Sequence, residues 1–179
     1  ADALRSFAEQ NQMLFGFDFT EYNSLDDDGK TAVWELFIRN RKAAFETVSQ
    51  VQEAFFEAAL VTKINLSDSD EEMDGILSAY AEDFHLKSVN SYDIYLDDEL
   101  YPDAKRKQLR QQLCAKNDYA SIAAFAEYFW DMVVLVGCAD NQSWYATQSI
   151  LDKAEVLADQ DLGNYRSLSD KSAVCKSVN

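Results

Sequence analysis

Apolar residues recur at helical spacing along most of this chain, and nowhere do they alternate for long enough to build a sheet. Leu4, Phe7, Ala8, Leu14 and Phe15 share one face and predict a short amphipathic helix from Ala3 to about Phe15. After Gly16, the rings of Phe17, Phe19 and Tyr22 alternate with polar residues over too few positions for a strand pair. That stretch is expected to be a connector held down by its rings. From about Gly29 to Ile64, Phe37, Ala44, Val51 and Ala58 recur every seven residues, with Val48 and Phe55 in companion positions. This near-heptad predicts one long helix of about 50 Å at 1.5 Å per residue. Arg41 and Thr62 interrupt the seam while Trp34, Ile38, Phe45, Phe56 and Leu60 widen it, which favours a bundle helix over a dimerising coiled coil.

Further along, Ser69-x-x-Glu72 has the form of a capping box, with Asp68, Asp70, Glu71 and Asp74 around the first turn. Met73, Ile76, Leu77, Tyr80 and Phe84 then mark a buried face, predicting a helix from about Asp70 to Phe84. Periodicity fails from Leu86 to Tyr101, an aromatic-rich loop with one helical turn. Pro102 suits the first turn of a helix through about Lys116, which carries the dense basic block Lys105, Arg106, Lys107 and Arg110. Asn117 or Asp118 restarts the chain, and Asn141 or Ser143 can cap a final long helix bearing Trp144, Thr147, Ile150, Leu151, Ala154, Leu157 and Ala158.

The stretch Tyr119 to Cys138 is apolar on nearly every side, which predicts a central helix surrounded by others and ended near Gly137. Its two charges, Glu127 and Asp131, stand four residues apart, on one stripe with Ala120 and Ala124. Each would cost roughly 2.5 to 3.5 kcal/mol at a bilayer centre, so no membrane span is expected and the stripe is read as the water-facing edge. The competing reading buries the two carboxylates together as an acid/base or metal pair. The fold expected is all-α, a single-domain bundle of about five or six helices around 119–138. Residues 1–28 form the N-terminal helix and connector, 29–161 the main bundle, and 162–179 a polar tail.

Composition supports this outline: one Pro and five Gly in 179 residues are few for a fold built on many tight turns. The formal charge of −16 disfavours nucleic acid and anionic membrane surfaces as partners. An odd count of three cysteines fits a reducing compartment better than export, but a chain that starts Ala-Asp-Ala and not Met leans the other way, so the expectation is export, periplasmic or secreted, over a cytoplasmic location. Cys114, Cys138 and Cys175 are too widely spaced for a zinc ribbon or a Cys-x-x-Cys redox pair. In an antiparallel hairpin Cys114 and Cys138 sit at opposite ends, about 30 Å apart, so the expected disulfide is Cys114 to Cys175, with Cys138 to Cys175 as the fallback.

Candidate chemistry is sparse. Ser24 to Glu35 places Asp26, Asp28, Gly29 and Glu35 at calcium-loop positions 3, 5, 6 and 12, but Ser24 replaces the first carboxylate. The run from Asp70 to Ala81 matches less well. Glu82-x-x-His85 has the local spacing of a di-iron half-site, yet His85 is the only histidine, so one chain cannot supply the second half. The same scarcity disfavours Ser-His and Cys-His catalysis. No metal, cofactor or catalytic residue is expected.

What remains is charge. Between Leu66 and Leu100 the only base among eleven acids is Lys87. A surface of one sign speeds encounter with its opposite, and Asp68, Asp70, Glu71, Glu72, Asp74, Asp97, Asp98 and Glu99 are the expected contacts to a protein with a basic surface. The function expected is a non-enzymatic, acidic protein-binding module, such as an inhibitor, an immunity-type protein or an assembly subunit. The alternative is a carrier of small apolar ligands with an aromatic-lined pocket among its helices.

Overall fold

The computed structural model describes residues 1–41, 44–84, 86, 91–139 and 144–157. Over these the chain is all-α, with no strand. The helical segments are α1 (Asp2–Gln10), α2 (Gln12–Phe15), α3 (Thr20–Asn23), α4 (Asp27–Asn40), α5 (Val48–Leu66), α6 (Asp70–Tyr80), α7 (Ser91–Leu96), α8 (Asp103–Lys116), α9 (Ile122–Cys138) and α10 (Trp144–Leu157). They group into two compact units, one formed by Ala1–Asp68 with Lys116–Phe125, the other by Ser69–Ala115 with the chain from Ala126 onward. No helix among the described residues is long and apolar enough to cross a membrane.

The first unit is built on Phe55, which is fully buried on α5. Phe17 stacks on it at 4.6 Å, and Phe19, Trp34 and Tyr22 follow at 5.0, 5.0 and 5.6 Å. The aromatic connector is therefore pinned by its rings, as its alternation suggested. Tyr22 ties this apolar cluster to polar neighbours. Its hydroxyl donates to Glu9 Oε1 at 2.5 Å and accepts from Trp34 Nε1 at 3.0 Å. Burial and the adjacent carboxylate push the Tyr22 phenol up to about 12, and the phenol's hydrogen bond holds Glu9 below the usual carboxylate range.

The expected continuous helix from Gly29 to Ile64 is instead two helices, α4 and α5. Arg41 leaves α4 in an extended conformation, with φ −69° and ψ 103°. Thr47 opens α5, its hydroxyl accepting from Gln50 N at 3.2 Å, while Gln50 Oε1 accepts from Glu46 N at 2.8 Å. These bonds satisfy donors that a helix start leaves open. Phe45 still meets Phe37, stacked at 5.6 Å, so its ring joins the core although its backbone lies outside a helix. The N-terminal helix is likewise split: Asn11 separates α1 from α2, and its side chain donates to Phe7 O at 2.7 Å. Gly16 then closes α2 at φ +58°, a left-handed position where glycine carries no Cβ penalty.

In the second unit α6 starts where its capping signal places it, with Ser69 accepting from Glu72 N at 3.2 Å. Met73, Ile76, Leu77 and Phe84 are buried as predicted. The stretch read as an aromatic-rich loop with one helical turn supplies α7, and its rings Tyr92, Tyr95 and Tyr101 are buried. The Tyr101 hydroxyl donates to Val133 O at 3.0 Å.

The apolar helix α9 begins three residues later than expected, at Ile122. Asn117, at φ +36°, turns the chain after α8. Tyr119 is then fixed by Asn65, which accepts from its N at 2.8 Å and donates to its O at 2.9 Å. Ser121 caps α9 through Ala124 N at 3.1 Å. Phe125, Phe129, Trp130, Val133 and Val136 are buried on α9, while Glu127, Asp131 and Leu135 are exposed. The stripe is thus the water-facing edge, and the buried acid/base pair is ruled out by exposure. Gly137 does not end α9 but lies inside its last turn, where an added Cβ would come within 2.9 Å of the Tyr101 ring and 3.1 Å of Ile150.

Candidate functional site

Four of the predicted contact residues lie in ion pairs within the second unit, all with basic residues of α8 and α10. Arg110 binds Asp74 at 3.0 Å and Asp70 at 3.4 Å, and donates to the Tyr95 hydroxyl at 2.9 Å. Lys107 adds a second cation to Asp70 at 3.5 Å. Burial works against an ionised Asp70, but Arg110 and Lys107 overcome it and hold the carboxyl below its usual range. The Arg110 Nε, also buried, finds no acceptor among the described residues.

Four residues along α8, and so on the same face, Arg106 closes off α7. It donates to the carbonyls of Tyr95 at 2.9 Å and Leu96 at 3.0 Å, which the end of α7 leaves open, and binds Asp98 at 2.6 Å. Its guanidinium also lies over the Tyr95 ring at 5.8 Å. Asp97 pairs with Lys153 of α10 and accepts from Glu99 N and Leu100 N. The Lys153 hydrogen bond holds the Asp97 carboxyl below the usual range.

The structure thus brings Asp70 and Asp74 of α6 and Asp98 of the loop after α7 to one face of α8. Glu71, Glu72 and Glu99 are exposed beside them, as is Asp93 on α7. Asp68, also exposed, belongs to the first unit. The basic block on α8 is visible in the sequence, but its match to the acids is not. The pairing spans 36 to 40 positions between α6 and Arg110, and its one local signal was the i, i+4 spacing of Arg106 and Arg110.

The remaining candidates fall out differently. The calcium-loop pattern is helical from Asp27 onward, and Asp26 serves as its cap, accepting from Gly29 N at 2.8 Å. Its carboxylates therefore cannot wrap around an ion as a loop would. Among the described residues no three His, Cys, Asp or Glu side chains gather as metal ligands would. His85 and Cys175 lie outside the described residues, and with them the expected disulfide. Cys114 and Cys138 are half-buried, and Cys114 Sγ donates to Ser69 O at 3.4 Å.

The first unit holds a second kind of site. An apolar chamber of about 180 Å³ lies between α1, the aromatic connector, α4 and α5, with Phe7, Ala8, Phe17, Trp34 and Val51 among its walls. A wider and more polar space of about 410 Å³ shares Phe37, Arg41 and Phe45 with it. Comparison with protein-family models, with curated proteins and with solved structures finds no match to this chain.

Proposed function

We propose that this protein is a non-enzymatic binding module whose acidic surface, on α6, α7 and the loop after α7, engages a basic surface of another protein. The observation that carries this reading is that exposed carboxylates are held in place from beneath. Asp98 has 89 % of its side chain exposed, yet Arg106 fixes it at 2.6 Å, and Asp74, 53 % exposed, is fixed by Arg110. Groups positioned before encounter lose less freedom on binding, and the surrounding single-sign field raises the association rate. The second unit also carries the larger share of the net charge, with 19 acids against nine lysines and arginines in its segments.

The test compares two triple variants of equal net charge against an octa-arginine peptide. One reverses Glu71, Asp93 and Glu99 to Lys, the other Glu35, Glu53 and Asp131, all six exposed. Asp70 and Asp74 are left alone because their reversal would break the Arg110 contacts. The first variant is expected to associate about tenfold more slowly than wild type, and the second less than about threefold, since screening confines each charge to about 8 Å at physiological salt. Equal losses would show that net charge alone is felt and would overturn the proposal.

A further inference from the structure

We infer that the chamber of the first unit is a binding site for a single aromatic ring. Its volume of about 180 Å³ is close to the roughly 150 Å³ apolar cavity that stays dry and accepts benzene. Five of its walls are themselves rings, Phe7, Phe17, Trp34, Phe37 and Phe45, so an aromatic guest meets ring edges and faces.

The ring walls also set the preference within apolar ligands. Offset-stacked and edge-to-face contacts favour an aromatic guest over a saturated ring of the same size. The space is pre-formed, because α1 is fastened by polar bonds that do not involve the chamber. Arg5 binds Asp27 at 2.9 Å and Thr31 Oγ1 at 3.2 Å, and Glu9 accepts from Tyr22. The chamber side of α1 meanwhile leaves Phe7 half exposed, at 50 %. The adjoining 410 Å³ space gives a substituent on the ring room to extend past Phe37 and Phe45.

The experiment uses the full chain and follows backbone amide shifts by NMR on titration with toluene and, separately, with methylcyclohexane. Toluene is expected to shift the amides of residues 4–8, 34–37 and 51 in a saturable manner, and to bind about fivefold more tightly than methylcyclohexane. Ala8→Leu and Val51→Phe each fill the chamber from a different helix. Whichever of them keeps the wild-type near-UV circular dichroism is expected to lose toluene binding by tenfold or more. No saturable shift in wild type, or undiminished binding in the filled variants, would overturn the site. Equal affinity for the two ligands would overturn its assignment to an aromatic ring.

Discussion

Truncating Phe55 to Ala tests the organisation of the first unit most severely. The ring is 0 % exposed and has four aromatic neighbours within 5.6 Å. Removing a buried Phe costs about 3 to 5 kcal/mol, and aromatic pairs add about 0.5 to 1.5 kcal/mol beyond area burial. Partial collapse of Phe17 and Phe19, which sit on a connector and not within a long helix, offsets some of this. The expected loss is therefore about 4 kcal/mol. Phe7→Ala is the internal comparison: its ring is 50 % exposed, so its loss is expected to stay below about 1 kcal/mol. Urea unfolding followed by near-UV and far-UV circular dichroism measures both. A Phe55→Ala loss below about 1.5 kcal/mol, or one equal to that of Phe7→Ala, would refute the placing of Phe55 at the centre of the cluster.

Replacing either cap hydroxyl, Thr47→Ala or Ser69→Ala, is expected to cost about 1 kcal/mol in the same unfolding assay; no loss for Thr47→Ala would mean that α5 does not begin there. Gly137→Ala should destabilise by about 1 to 3 kcal/mol despite alanine's better helix propensity, because its methyl meets the Tyr101 ring, and a stabilised variant would contradict that contact. The pH dependence follows from Asp97, whose folded pKa lies below its unfolded value of about 3.9. Its stabilising contribution is therefore present at neutral pH and is lost as pH falls below that value through the folded one. The stability gap between wild type and Asp97→Asn should accordingly shrink with acidification, and a gap that is constant from neutral pH to pH 2.5 would count against the Lys153 pair.

Helix identity was legible wherever burial and capping agreed. Ser69, Glu72, Met73, Ile76 and Leu77 fix α6 from local information, and the spacing of Glu127 and Asp131 correctly marks the wet edge of α9. Seven-residue spacing misled between Gly29 and Ile64, because Phe37 and Phe55 stay in register with a common core although they belong to separate helices. The corrective signal was Thr47 with Gln50, a cap that periodicity alone outvoted. Buried tyrosines after Leu86 were hidden for a different reason: Tyr95 and Tyr101 owe their positions to Arg106, Arg110 and Val133, contacts that no local pattern encodes. The acidic band was visible as composition, but its division into clamped and outward carboxylates depends on those same long-range partners.

The central claim is that cations beneath the acidic surface organise it for binding, and Arg106→Gln tests that claim most directly. The substitution makes the protein more negative, so charge alone would tighten its hold on a cationic probe. It also removes the clamp on Asp98 and the guanidinium bridging the Tyr95 and Leu96 carbonyls at the end of α7. If organisation governs binding, the dissociation rate of octa-arginine from the variant will be at least about threefold faster than from wild type at the same salt. Slower dissociation from the more negative variant would contradict the account.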